Sequence, residues 1–288
     1  MLNLTNTRRG WRPPPYIILL FPAVTFILIM YAYPFILSFI RSFQIDGNLT
    51  LGNYRKTLEL YTRDILFTFA VTLFNSILAI ILGVLLSVYF RLNDSVISRM
   101  LTKLYRLPIF IPFVVVAQMM NSFLAPHGLL NLLLGRAGIV NLDRPLQLFN
   151  FAGLSFGFIW KLVPFSVLII FGGFQMIDNS YIEAARSAGA NLLQVILKIL
   201  IPMNRSSILV ALVLIYSQIV GTFTLPYMLI GGKIPTTITV DIAHRVNYFR
   251  DFGVANALGV FSYIMVIATA VYYLKMNIKD AKAAQPKF

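Results

Sequence analysis

The sequence predicts an all-α integral membrane protein with six transmembrane helices, and three observations carry that prediction. The 288 residues are 58% hydrophobic and 12% charged, whereas a soluble domain is roughly 25% charged. Six apolar runs, five of them free of charge, approach or exceed the ~20 residues that cross a bilayer. Lys and Arg are shared unequally between the segments joining those runs, which gives the chain an inside and an outside.

The chain begins with a basic tail, residues 1–12, carrying Arg8, Arg9 and Arg12 ahead of Pro13, Pro14 and Pro15. The first span is expected at 16–40, too long for a signal peptide and without a small-residue cleavage site. A polar loop is expected from Arg41 to Asp64, and the second span at 65–90. The third, at 107–124, ends at Ala125-Pro126-His127-Gly128, with a half-buried Leu-rich turn from Leu129 to Leu134 after it. The fourth, at 146–177, is interrupted only by Lys161; the fifth is expected at 206–232 and the sixth at 252–274. The membrane domain is thus 13–277, with a polar segment at 178–202 inside it and a second tail at 278–288. Six spans leave both termini on one side. Fourteen Lys and Arg fall on that side against nine in the other loops, so both termini and the 178–202 segment are expected in the cytoplasm.

The formal net charge of +14 is therefore read as topology and attraction to anionic lipid. No basic, aromatic-interleaved stretch outside the membrane is long enough for nucleic acid. With no cysteine and two distant histidines, His127 and His244, thiol chemistry is excluded and no metal site is expected. A membrane enzyme would need clustered acids, bases or nucleophiles at membrane depth, and a secondary carrier charged coupling sites there. Neither pattern is present.

The polar segment reads as two short helices meeting at a bend. Glu183 falls early in the first, where a carboxylate suits the helix dipole. Ala184 and Ala185 are small helix formers that allow close approach by another surface. Gly189 can end that helix at positive φ. Leu192, Val195, Ile196 and Ile199 form an apolar stripe on the second helix that can lie on the bundle, and Pro202 stands where this helix gives way to the next span.

Glu183-Ala184-Ala185, Gly189, Ile199, Ile201 and Pro202 stand at the spacing of the EAA loop of ABC importer permeases, with Ile201 where leucine is usual. LTLGNYRKTLEL, LYRLPIFIPFVVV, HGLLNLLL, IWKLVPF and FGVANALGV extend the resemblance over nearly the whole chain. The chain therefore resembles the permease subunit of a type I ABC importer. That resemblance implies a non-catalytic subunit of the bacterial inner membrane, forming half of a pathway with a second, homologous but non-identical permease. It implies two ATPase subunits that hold ATP and magnesium, and an extracytoplasmic binding protein. The chain has no G-x-x-x-x-G-K-[ST] phosphate loop, in keeping with hydrolysis by a partner. The loop residues Glu183, Ala184, Ala185, Gly189 and Pro202 would dock on the ATPase.

LTLGNY, YRLPIFIPF, WKLVPF and TFTLPYMLIGG resemble polyamine-, phosphonate- and ferric-iron-type permeases, while YPFILSFIRSF and YIEAARSAGA resemble maltose-type permeases. Ala188 stands where sugar permeases usually carry Asp, so the motifs lean toward the polyamine or phosphonate type, with sugar as the alternative. Polar groups inside spans are the pathway candidates: Gln118 and Asn121 on the third, Lys161 on the fourth, Gln218, Thr222 and Thr224 on the fifth, and Asn256 on the sixth. Each also has a plainer use as interhelical glue, and Lys161 can reach a carbonyl in the bundle. The Gly221–Thr222 and Thr224–Pro226 region is the preferred stretch of pathway, because proline in a span can break the helix where backbone lines a cavity. Gly153 and Gly157 form a G-x-x-x-G suited to close helix packing.

Overall fold

A computed structural model describes residues 16–231 and 235–283, with side chains from 20 to 231 and from 235 to 276. The basic tail 1–12 and Lys233 lie outside the described residues, as do the side chains of Lys279, Lys282 and Lys287.

The first span runs through α1 (Tyr16–Ile27), a π turn (Leu28–Ala32) and α2 (Tyr33–Ser42). The π turn has a cause. Pro34 has no N–H and its ring would press on the carbonyl four residues back. The chain widens just before it, and Tyr33 N–H bonds to Leu28, five residues back. A two-residue hairpin follows, β1 (Gln44–Ile45) against β2 (Asn48–Leu49), turning at Asp46 and Gly47, both with positive φ.

The expected polar loop from Arg41 to Asp64 is mostly helix. The second span, α3 (Gly52–Leu92), is 41 residues long, about 60 Å at 1.5 Å per residue. Its outer turns were hidden in the sequence because the residues they bury are polar: Asn53, Thr57, Asp64 and Thr68. Asn53 Nδ2 donates to the carbonyls of Ser42 and Gln44 at 3.1 and 3.0 Å, pinning the hairpin to this extension.

A short amphipathic helix, α4 (Val96–Leu104), leads to a 3₁₀ turn (Leu107–Phe110) and α5 (Phe113–Leu124). The third span thus starts at Phe113 rather than Leu107, because Pro108 and Pro112 hold the preceding residues out of the helix. The Leu-rich segment is helical, α6 (Leu129–Arg136). Buried Asn131 fixes it through the carbonyls of Ala125 and Leu146 and the N–H of Leu146.

The fourth span is α7 (Phe151–Gln175), capped by Asn150. After the polar segment come α8 (Asn179–Ser187), then α9 (Leu192–Val195), a π turn (Ile196–Leu200) and α10 (Ile201–Met203). The fifth span is not one helix over 206–232. It is α11 (Arg205–Gly221), a break at Thr222 and Phe223, and α12 (Thr224–Ile230) ending on Gly231 in the left-handed region. Beyond it lie an unexpected helix, α13 (Ile238–Asn247), and α14 (Phe252–Ala283), which carries the sixth span and continues into the expected tail at 278–288.

The core is built around α7. Val71, Val116, Leu124, Phe158, Ile215 and Leu225 bring α3, α5, α7, α11 and α12 together. Close approach is set by small residues. A Cβ on Gly83 would fall 2.1 Å from Ser166 Oγ, and one on Gly173 would fall 1.9 Å from Asn204 Oδ1. Gly157 packs against Leu225, so the G-x-x-x-G serves packing as expected. Exposed Leu, Ile, Phe and Val side chains cover the exterior of the spans, as a lipid-facing surface requires.

Candidate functional site

The polar segment forms a helical hairpin whose bend is closed by its own backbone. Asp178 caps α8 and accepts the N–H of Ser180 at 2.8 Å. That bond and the nearby Arg91 hold its carboxyl below the usual carboxylate range. At the other end Gly189 has φ +83°. Gly189 N–H reaches Arg186 O at 3.0 Å and Ala190 N–H reaches Ala185 O at 2.9 Å. These are the two bonds of a Schellman close, which ends a helix without leaving its last carbonyls bare. Nothing lies within 4 Å of a Cβ placed on Gly189, so backbone conformation rather than space requires glycine there.

Two residues later Asn191 starts the second arm with a complete capping box. Its Oδ1 accepts Gln194 N–H at 2.9 Å, and Gln194 Oε1 accepts Asn191 N–H at 2.9 Å. The arm then widens into the π turn, and Ile201 N–H bonds to Ile196 five residues back, just ahead of Pro202. This repeats the arrangement ahead of Pro34. The I-x-I-P ending thus has a structural content that spacing alone did not reveal: the proline is accommodated by a π turn. The arm meets α11 at 68°. Asn204 sits buried at the corner and donates to Ile170 O at 2.8 Å.

The hairpin has an inner and an outer face. Ile182, Val195 and Leu200 are buried with Ile170, Phe174 and Ile177 at the end of the bundle on which the hairpin sits. The expected stripe is altered: Leu192 is 56% exposed, while Leu200 is buried beside Val195. The π turn explains the change, since it brings residues five apart onto one face. Glu183, Ala184 and Gly189 are exposed, Ala185 is partly packed, and Pro202 lies in the corner. The second arm and the bend enclose a hollow of about 300 Å³ lined by Ala188, Gly189, Gln194 and Lys198.

Arg91, in the sequence one of the fourteen charges that set the topology, has a structural task as well. From the C-terminal end of α3 its guanidinium donates to Phe174 O at 3.0 Å, Ile177 O at 2.8 Å and Asn179 Oδ1 at 2.5 Å. It thus joins the second span to the last turn of α7, to Ile177 in the link after it and to the first residue of α8. A cation suits a helix C-terminus, but nothing local in the sequence pairs residue 91 with 174–179.

The pathway candidates separate into groups. Gln118 is exposed on the wall of a cavity of about 740 Å³ with Val114, Ser122, Phe123, Phe156 and Trp160. Phe123 and Phe156 stack there, with ring centroids 5.9 Å apart and planes 15° apart. Lys161 and Gln218 line a smaller hollow of about 320 Å³ with Ile109, Pro112 and Phe165. Lys161 is 8% exposed and donates to Pro108 O, Ile109 O and Ile111 O at 2.9, 3.0 and 2.5 Å. Its charge is therefore engaged by backbone, and it tethers the 3₁₀ turn to the fourth span. Asn121 donates to Met228 O at 3.0 Å, and Asn256 accepts from Ser38 Oγ at 2.8 Å. Both side chains tie helices together. Thr222 and Thr224 flank the break in the fifth span. Thr222 Oγ1 returns to Gln218 O at 2.5 Å, and its carbonyl accepts Thr239 Oγ1 at 2.9 Å.

Residues 75–278 match the family described as binding-protein-dependent transport system inner membrane component. The trehalose/maltose transport system permease protein MalF of Thermococcus litoralis is 26% identical over 96% of this chain and 97% of its own. The spermidine/putrescine transport system permease protein PotB of Escherichia coli is 25% identical over 81% of this chain and 85% of its own. Among solved structures, a chain of the bacterial alginate ABC transporter in complex with alginate pentasaccharide-bound periplasmic protein superposes with a TM-score of 0.79. It is 21% identical, over 92% of this chain and 94% of that one.

Proposed function

The chain belongs to the binding-protein-dependent transport system inner membrane component family, and from that premise we propose how its parts work. It is the permease subunit of an ABC importer, a multi-pass membrane protein whose ATPase activity resides in partner subunits. We assign the α8–α9 hairpin as the surface that an ATPase subunit grips. The observation that carries this is the hairpin's two-sidedness: Ile182, Val195 and Leu200 fasten it to the bundle while Glu183, Ala184 and Gly189 stay exposed. Arg91 makes the grip effective, because a push on α8 reaches α3 and α7 through its three bonds. In this reading both termini and the hairpin are cytoplasmic. Two ATPases, holding ATP and magnesium, sit beneath this chain and a second homologous permease, and a binding protein delivers the solute. ATPase closure moves the hairpin and rocks the spans between inward- and outward-facing states.

In the full transporter, Glu183→Lys or Gly189→Val should reduce retention of the ATPase and lower uptake, with membrane insertion unchanged. Normal retention and uptake in both variants would overturn the assignment.

For the solute, we favour a carbohydrate. The wall is largely apolar, with Val115, Met119 and Leu129 beside Phe123, Phe156 and Trp160; Gln118 and Ser122 are its polar side chains and it has no carboxylate, so it offers aromatic faces on which a sugar ring can stack but none of the anionic partners that a polyamine calls for. The relatedness to MalF over nearly the full chain agrees with this reading. A polyamine is the second reading, favoured by the relatedness to PotB and by Ala188. Labelled trehalose, maltose and spermidine, offered to cells expressing the chain with its partner subunits, separate the two. Sugar uptake that falls in Trp160→Ala supports the first, and spermidine uptake the second.

A further inference from the structure

The short helix α4 is packed in an unusual sense for an amphipathic segment. At about 100° per residue, its side chains divide into three sectors. Ser98 and Thr102 face the protein, with Ser98 only 2% exposed. Tyr105, just past the helix end, joins that side by packing on Phe90 of α3 at 5.7 Å. Val96, Ile97, Met100, Leu101 and Leu104 occupy an arc of roughly 140° turned away from the chain, and they are 41–76% exposed. Arg99, Lys103 and Arg106 fill the remaining sector, all exposed. Arg99 lies 3.4 Å from Asp94, in a pair that is itself open to solvent. Arg106 turns over Tyr105.

An amphipathic helix attached to its own protein normally buries its apolar face. This one uses its hydroxyl face for attachment and leaves apolar and basic sectors side by side on the outside. It follows directly on the inner end of α3, which brings it to the edge of the membrane. We propose that α4 is an interfacial membrane helix, with its apolar sector sunk among the acyl chains of the leaflet on the hairpin's side and its basic sector against anionic lipid headgroups. Apolar area with adjacent Lys and Arg is the combination that holds a helix in the plane of a bilayer, and each basic residue near an anionic surface adds to the attraction. The helix would thus anchor the corner between the second and third spans, where Lys161 tethers the 3₁₀ turn.

The absence of cysteine makes a direct test available. Single labels are placed through Met100→Cys or Thr102→Cys in the full transporter, reconstituted into phosphatidylcholine bilayers with or without phosphatidylglycerol. The Met100→Cys label should lose most of its fluorescence to nitroxide on the upper acyl chain and little to aqueous iodide, while the Thr102→Cys label responds weakly to both. Nitroxide carried on phosphatidylglycerol should quench the first label more than nitroxide on phosphatidylcholine. The triple change Arg99→Gln, Lys103→Gln and Arg106→Gln should abolish that difference. Strong iodide quenching at position 100, or shielding from both quenchers by another protein subunit, would overturn the membrane assignment. Equal quenching by the two labelled lipids in the unsubstituted chain would overturn the anionic preference.

Discussion

The hairpin α8–α9 and the outer region around α12 and α13 are both short helices packed on the ends of spans, yet they are closed in opposite ways. The hairpin's bend is held by bonds between residues at most five apart, from Asp178 to Ser180 and from Asn191 to Gln194, with the Gly189 close between them. The outer region is held by side chains remote in sequence. Asp64 Oδ1 accepts Thr236 N–H at 2.7 Å and Thr68 Oγ1 accepts Ile238 N–H at 3.0 Å. The start of α13 is thus capped by α3, some 170 residues earlier. Thr239 and Asn121 then hold the carbonyls of Thr222 and Met228 around the broken span. A locally closed element keeps its shape while it is moved as a unit. A remotely capped element exists only while its neighbours stay in register.

The largest effect should come from Arg91, the charged tether that joins the hairpin to α3. Arg91→Ala removes charge-assisted bonds worth about 1.5–3 kcal/mol each and should leave the hairpin folded but loosely attached. ATPase retention and uptake should both collapse, while amide exchange within the bend changes little. Rapid exchange throughout α8 would show that the hairpin is not self-closed.

Next in size is the outer cap. Asp64→Ala leaves the buried N–H of Thr236 without its acceptor, at a cost of about 1–3 kcal/mol. Protease cleavage between α12 and α14 should accelerate in the assembled transporter, with cleavage at the hairpin unchanged. A smaller loss is expected at Gly189. Space is free there and only φ resists a side chain, so Gly189→Val should cost about 1–2 kcal/mol. Gly189→Asn, which tolerates the left-handed region, should restore ATPase retention. Equal loss in both variants would mean that bulk against the partner, not backbone strain, is what matters.

The smallest effect is one of pH. Burial, and then the neighbouring Asp64 carboxylate, push Asp241 up to about 8 against the pull of Arg245. One of its carboxyl oxygens has no hydrogen-bond partner. Unfolded, the group titrates near 4, so between about pH 4 and about pH 8 the folded chain binds more protons, and stability falls as pH rises through that window. Amide exchange in α13 should therefore increase between about pH 4 and about pH 8 beyond its intrinsic rise, and follow the intrinsic rise alone above that. Asp241→Asn should flatten that excess, and an unchanged excess in the variant would rule out Asp241 as its source.

How much was legible in the sequence follows the same division. The fourth and sixth spans and the two-armed hairpin with its Gly189 bend were readable, because apolar run length and capping chemistry are local. Pro226 marked the stretch where the fifth span could break, but not that the chain leaves the helix at Thr222 and Phe223. The outer turns of α3 were not: a helix that buries Asn53, Thr57 and Asp64 has no apolar periodicity to detect. The start of α13 was invisible because its caps belong to another helix. Asn121 and Asn256 were chosen as polar groups in spans, and only the fold could show that carbonyl and hydroxyl partners engage them.

Lys161 also completes a cation seat built from backbone alone. Three carbonyl oxygens converging on an ammonium make the kind of seat that a desolvated monovalent cation would occupy, and here the occupant is covalently attached. The span brings its own counter-ion on a tether, so the seat is filled without drawing on the solution.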